Sequence, residues 1–377
     1  MSSSISILVH NIYNKMTTIS PNGLILVTGA NGHLASVTTK VLLENGFRVR
    51  GTVRSVAKHS ALLSFYGSAF SLVEVPDFGS PSAFDEAVLG VDGVLHMAAD
   101  VTLQDREEII EQSIKGILNI MSAAAKESTV KREVLTSARA AAMSEKPGTE
   151  CHIGTQTWNN DATERLKMPA GTLSSQERGQ VVYAAAKCQA ERAAFAYMQE
   201  HRPHFVFNSV LPNVNIGRTV AMEHLAFPSG SSLINAMDKG YPLGPMFLPN
   251  QLFVNTEDTA LLHLAALTQE EVKNERIMAM SAPFSWRRII EILMRRFPER
   301  KAMVRQCDDG PAELATVGNS RAAELLKKMG RQGGFRTLEE SLVDAMQCII
   351  AADDLAPLLR SFADELIDMI FNAKAAA

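Results

Sequence analysis

The chain predicts a doubly wound parallel α/β sheet with a smaller C-terminal lobe, on three observations. Apolar runs of strand length alternate with helical stretches from about residue 24 to residue 211. The first run leads straight into a glycine-rich turn, TGANGHLAS (Thr28 to Ser36), which opens a helix. Finally, 377 residues are long for one domain and short for two large ones, so one α/β domain with an added lobe fits.

The elements follow in order. Leu24-Ile25-Leu26-Val27 is a continuous apolar run, as a parallel strand buried on both faces requires. After the turn, Val37, Val41 and Leu42 mark a helix. Phe47 to Arg54 reads as a second strand, Phe70 to Val75 as a third and Gly93 to His96 as a fourth. Helical segments are expected around 57–65 and 81–88. Arg106 to Lys126 has helical spacing at Ile109, Ile110, Ile114, Ile117, Leu118 and Met121. Glu133 to Ser137 makes a fifth strand, Gln180 to Glu200 a helix and Phe205 to Leu211 a sixth strand. This alternation gives right-handed βαβ units and therefore a parallel sheet.

Two stretches break the rhythm. Ser144 to Gly179 is polar and too long for an ordinary connection, so a loop over the site is expected. Phe227 to Asn250 is rich in Gly and Pro and carries Met246, Phe247 and Leu248; it lines a substrate pocket or forms a packed crossover. Beyond Leu355, residues Leu358, Leu359, Phe362, Leu366 and Ile370 are spaced as an amphipathic helix, packed on the domain or on a second subunit.

Composition excludes several classes. The hydrophobic fraction of 46% supplies a core, and a net charge of −4 with both signs scattered predicts neither nucleic-acid nor anionic-membrane binding. Cys151, Cys188, Cys307 and Cys348 are far apart, without CxxC or metal-ligand spacing, as in a reduced cytoplasmic chain that binds no metal. No apolar run reaches the ~18 residues that cross a bilayer. The N-terminus has no positive n-region, and Met16 is a second candidate start. Residues 1–22 are expected to be an extension outside the chemistry.

The turn has the context that makes a glycine motif informative: strand before, helix after. Gly29 permits the tight bend, Gly32 lets backbone approach a pyrophosphate, and Ala35 is small enough for helix-on-strand packing. Asn31, His33 and Leu34 complete the cradle, whose helix N-terminus offers N–H groups and partial positive charge. Where an acidic residue would bind the ribose 2′-hydroxyl of NAD, the chain has Arg54, with Lys58 four residues on. Two cations favour the 2′-phosphate of NADP.

Tyr183 and Lys187, in YAAAK, lie four apart on one face of a helix. A free phenol with a pKa of ~10 is a poor acid at neutral pH, and a nearby ammonium is expected to lower it. His33 and His96 read as structural histidines, and Trp158 as a loop anchor.

Together these residues resemble the extended short-chain dehydrogenase/reductase family, with its Rossmann-type sheet. Within it the likeness is to fungal NADPH-dependent aldehyde and ketone reductases and to dihydroflavonol-reductase-like proteins. It runs from about Gly23 to about residue 345 through LVTGANGHLAS, VRGTVRS, VLHMAA, VLTSA, TWN (Thr157 to Asn159), YAAAK and NSVLPNVNIG (Asn208 to Gly217).

The resemblance implies one NAD(P)-binding domain over 23–350, a substrate lobe mainly from about 215–250 and 278–350, and a C-terminal helix over 351–377. It implies that Arg54 and Lys58 hold the 2′-phosphate, that Asp77 holds the adenine amino group, and that Phe78 is a further cofactor-binding residue. Ala98 and Ala99 would border the nicotinamide ribose, and Pro212 and Val214 the nicotinamide. Tyr183 would donate the proton and Lys187 would bind ribose. Ala138, Asn213, Met246 and Phe247 would face a carbonyl substrate.

One departure stands out. The family ends the fifth strand with two serines, the second of which bonds the substrate carbonyl; here the series is Thr136, Ser137, Ala138, Arg139. Strand alternation sends Ser137 to the face opposite position 138, although the strand's end leaves Ser137 open as a substitute. A second departure is Asn255-Thr256-Glu257-Asp258, where relatives often carry an arginine before the aspartate. Three readings remain: an NADPH-dependent carbonyl reductase, a non-redox enzyme performing cyclisation, dehydration or isomerisation, and an NADP-binding regulatory protein.

Overall fold

The computed structural model describes residues 18–225, 229–355 and 359–372. Its elements begin with β1 (Leu24–Val27), α1 (His33–Glu44), β2 (Arg48–Val53), the short helices α2 (Val56–His59) and α3 (Ala61–Tyr66), β3 (Phe70–Glu74), β4 (Gly93–His96) and α4 (Glu108–Lys126). Next come β5 (Arg132–Thr136), α5 (Arg139–Ala142), β6 (Cys151–Ile153), α6 (Asn160–Leu166), α7 (Ser175–His201), β7 (Val206–Pro212) and β8 (Val214–Ile216). The remainder is α8 (Ser229–Asp238), α9 (Leu243–Phe247), β9 (Gln251–Asn255), α10 (Thr256–Thr268), β10 (Arg276–Ala279), β11 (Ala282–Phe284), α11 (Trp286–Arg296), β12 (Ala315–Val317), α12 (Ser320–Lys328), α13 (Leu338–Asp353) and α14 (Phe362–Ile367).

Seven strands form one parallel sheet in the order β10-β7-β5-β4-β1-β2-β3. Strand order reverses between β1 and β4, which places a ligand crevice at the carboxyl ends of those strands. β1 is apolar throughout because both its faces are covered. Ile25 and Val27 pack towards α1 and α10, while Leu26 packs towards Ile117, Ile120 and Met121 of α4. Arg132 crosses the core to donate to the carbonyls of Ala266, Glu270 and Val272, capping the end of α10 with a cation.

The C-terminal lobe holds a three-stranded sheet, β11-β9-β8, and an apolar cluster around Ile234, Met237, Phe253, Trp286, Ile289, Leu293 and Met346. The altered Glu257-Asp258 segment ties it down: Asp258 is fully buried and accepts from Arg331 Nε at 3.0 Å and Arg336 N at 2.7 Å. Its cationic partners thus come from later in the chain.

Several expectations need correction. The segment 81–88 forms consecutive turns rather than a helix; Pro81, Gly90 and a left-handed Ser82 (φ 59°) punctuate it, and Phe84, Ala87 and Val88 are buried without helical length. The helix expected from Gln180 starts at Ser175, behind a capping box of Ser174 and Glu177. The expected loop 144–179 contains β6, which pairs with β12, and α6. Ile19 belongs to the core and packs over Gly93, so the folded unit begins before Gly23; residues 1–17 lie outside the described residues. Leu358 does too, and the described terminal helix is α14, whose Ala363 and Ile367 pack on Ala236 and Leu243. Among the described residues no helix is long and apolar enough to cross a membrane.

Candidate active site

The glycine turn sits where β1 and β4 end side by side. Thr28 Oγ1 accepts from the backbone N–H groups of Met97 and Ala98, both at 2.9 Å, and lies 3.1 Å from His96 Nδ1. That clamp fixes Ala98 and Ala99 beside the turn. Gly29 has φ +64°, and a β-carbon there would stand 3.1 Å from Ala98 Cα, so both conformation and space call for glycine. Gly32 is exposed at the start of α1, which has neither a side-chain cap nor an acidic residue in its first turn. Open N–H donors without a competing carboxylate suit a pyrophosphate.

Arg54 and Lys58 are exposed near the end of β2, as a pair of phosphate-binding cations requires. His59, which the sequence reading passed over, stands beside them with Nε2 3.4 Å from Asn31 Nδ2. His33 is buried, contacts Ser231 of α8 at 3.4 Å and is held down to about 4 by burial, so it stays neutral and docks the lobe on the cradle. Asp77 is committed to its own turn, accepting from Gly79 N at 2.9 Å and Ser80 Oγ at 2.7 Å; those bonds lower its pKa. Phe78 packs against Gly116 and lines the adjoining cleft.

That cleft is walled by Phe78, His96, Ala98, Ala99, Asp100 and, from α7, Tyr183 and Lys187. Residues from the β4 end beside the glycine turn and the Tyr183–Lys187 pair of α7 therefore meet in one place. Lys187 donates to the Thr136 carbonyl at 3.0 Å, and burial holds its ammonium down to about 8 against the opposing pull of Glu191. The phenol differs from expectation. Burial raises the Tyr183 pKa above its ordinary value, and Glu145 pushes the same way. Desolvation of the phenolate governs the free chain, while the ammonium is engaged elsewhere.

Ser137 is corrected as a catalytic candidate. Its hydroxyl donates to Glu191 Oε2 at 2.9 Å, in a buried network where Glu191 also accepts from Ser209 and, twice, from Arg276. Arg276 in turn holds the carbonyls of Thr155 and Thr157, each at 2.7 Å, and lies 3.7 Å over the Trp158 ring. The TWN motif thus anchors its loop to the sheet. Ser137 still lines the cleft together with Tyr183 and Lys187. Ala138 belongs to an apolar cluster with Ala140 and Ala184, against which Tyr183 packs.

Pro212 ends β7 and Val214 opens β8, both near the carboxyl edge of the sheet. Asn213 is engaged with Gln251 Oε1 at 3.0 Å and Leu252 O at 2.9 Å, which joins the lobe to the sheet. Met246 and Phe247 are not among the residues lining the cleft. Trp286 pins α9 by filling the space over Gly244, and Phe247 packs in the cluster shared with α14 while Met246 is exposed.

Comparison with known proteins agrees with this architecture. The family model described as NAD dependent epimerase/dehydratase family matches residues 25–279. Aldehyde reductase 2 of Sporidiobolus salmonicolor is 33% identical over 334 residues, covering 86% of this chain and 96% of that protein. Ketoreductase adrE of Penicillium roqueforti is 34% identical over 337 residues, covering 86% and 96%. Among solved structures, yeast methylglyoxal/isovaleraldehyde reductase Gre2 complexed with NADPH superposes with a TM-score of 0.72 at 25% identity, covering 88% of this chain and 99% of its own.

Proposed function

Since the chain belongs to the NAD dependent epimerase/dehydratase family of extended short-chain dehydrogenases/reductases, we propose that it reduces an aldehyde or ketone with NADPH, Tyr183 giving the proton. The observation that carries this reading is the meeting of Tyr183, Lys187, Ala98 and Ala99 in one cleft beside the phosphate turn. Relatives named as an aldehyde reductase and a ketoreductase support carbonyl chemistry, and a neighbour described with NADPH supports the phosphorylated cofactor.

In this reading the backbone from Gly29 to Leu34 holds the pyrophosphate, Arg54 and Lys58 the 2′-phosphate, and Pro212 and Val214 the nicotinamide face. NADPH supplies the hydride when bound. A phenol held high by burial stays protonated at neutral pH, which suits a donor to a carbonyl oxygen. Lys187, near 8, exchanges protons close to neutrality and can restore the one Tyr183 gives up. Val101 and Leu103, exposed just beyond Asp100, offer apolar surface to a medium-sized, partly apolar substrate.

One observation favours a second reading. With an alanine at position 138 and the Ser137 hydroxyl donated to Glu191, neither residue offers Tyr183 a free hydroxyl for polarising a carbonyl. A non-redox proton transfer would not need one. The test is NADPH absorbance with aldehydes, ketones and α-ketoesters. We expect consumption that Tyr183→Phe lowers by ~10²-fold or more, with NADPH affinity within about threefold. Retained turnover would remove Tyr183 from its role, and product formed without NADPH consumption would establish the second reading.

A further inference from the structure

Three basic residues lie near the glycine turn, Arg54 just after β2 and Lys58 and His59 at the end of α2, with Arg54 and Lys58 close enough to act on the His59 ring. His59 is the only one that touches the turn, through Asn31 Nδ2 at 3.4 Å. An amide nitrogen only donates, so Nε2 accepts and the ring is neutral in this contact. A protonated ring donates instead, either to the Asn31 carbonyl oxygen once the amide turns over or to another acceptor.

The surroundings explain the neutral state. Half-burial, then Arg54, then Lys58 each disfavour the charged imidazole and lower its pKa. Among the described residues, Glu74 accepts from Val56 N at 2.8 Å, at the opposite end of α2 from His59, and the His224 ring packs on Phe65 of α3. α3 carries no charged residue, and the first turn of α1 no acidic one. The corner is therefore a cluster of positive charge with one titratable member, held short of full charge by its neighbours.

We infer that His59 is the third cation of a site, formed with Arg54 and Lys58 beside Asn31, that grips a phosphate monoester dianion and takes up a proton in doing so. The inference rests on the cofactor reading above, in which that dianion is the 2′-phosphate of NADPH. A dianion placed among the three groups reverses the local potential, so the imidazole gains the proton that Arg54 and Lys58 denied it. Nε2–H then turns from Asn31 to a phosphate oxygen. A group that binds its proton more tightly in the complex favours binding at low pH, and the gain fades as pH rises through the bound-state value.

The experiment is cofactor binding to the full chain, by fluorescence titration of NADPH and NADH from pH 6 to 9, with wild type and His59→Gln. Glutamine retains a partner for Asn31 and cannot be charged. His59→Gln should weaken NADPH by ~10-fold near pH 6, the value of one charge-assisted hydrogen bond, and by less than ~2-fold near pH 9. NADH affinity should stay within ~2-fold throughout. The phosphate's own titration is common to both proteins and cancels in the comparison. Calorimetry in two buffers of different ionisation enthalpy should show proton uptake with NADPH in wild type and less in the variant. If wild type prefers NADPH while the His59→Gln profile runs parallel to it, this inference fails alone. If wild type shows no preference for NADPH, the cofactor reading fails and takes it down as well.

Discussion

Ala138→Ser restores the hydroxyl that the fold leaves out. Ala138 precedes α5 in extended backbone (φ −159°, ψ 161°) and packs against Tyr183 in a cluster of alanines. A serine hydroxyl there has two uses. Aimed at the cleft, it is a second donor to a developing oxyanion, and one such donor is worth ~10²–10³ in rate, or about 2.7–4 kcal/mol. Aimed at α5, it caps a helix start that now lacks a side-chain cap, a gain of about 1 kcal/mol. Left unpaired, the buried hydroxyl instead costs about 1–3 kcal/mol, so stability shifts by a few kcal/mol at most in either orientation. A large rate change can then be read without a large stability change. The assay is initial-rate NADPH oxidation over a panel of carbonyl compounds, with denaturant unfolding as the control. We expect kcat/KM to rise at least tenfold, mainly through kcat, since the bond forms in the transition state. A variant that folds and binds NADPH like wild type but turns over no faster would refute the claim that the missing hydroxyl limits the reaction.

Two further outcomes follow from the geometry. Glu133 is fully buried, neither of its carboxyl oxygens has a hydrogen-bond partner among the described residues, and burial raises its pKa from 4.5 to about 8. Its neutral form is the folded one, so stability is fully present below 4.5 and is lost as pH rises through about 8. At 1.36 kcal/mol per pH unit that interval amounts to roughly 5 kcal/mol at most. Glu133→Gln should flatten the pH dependence of urea unfolding, and parallel curves for the two proteins would contradict the assignment. Arg54→Ala should weaken NADPH by ~10-fold or more while leaving NADH within ~2-fold; equal losses for the two cofactors would place Arg54 outside the phosphate site.

What could be read from sequence and what could not divide along one line. β1 and its turn were legible because the strand, the bend at Gly29 and the first turn of α1 involve neighbours in sequence, and each needs particular residue types. Tyr183 and Lys187 were legible for the same reason, four apart on a helix. The segment 81–88 misled because buried Phe84, Ala87 and Val88 have helical spacing while the backbone around Pro81 and Ser82 forms turns. The role of Met246 and Phe247 misled because α14 and Trp286, both distant in sequence, decide where α9 sits.

By itself, then, the sequence determined the parallel sheet, the glycine-rich turn, the phenol–amine pair and the absence of a serine at position 138, all matters of local periodicity and residue type. Only the tertiary structure decided that Ser137 serves Glu191 and Arg276, that burial raises the Tyr183 phenol, and that His59 meets Asn31. Those facts depend on which distant segments the chain brings back against each group, because hydrogen-bond partners and local dielectric follow from spatial neighbours rather than from order along the chain.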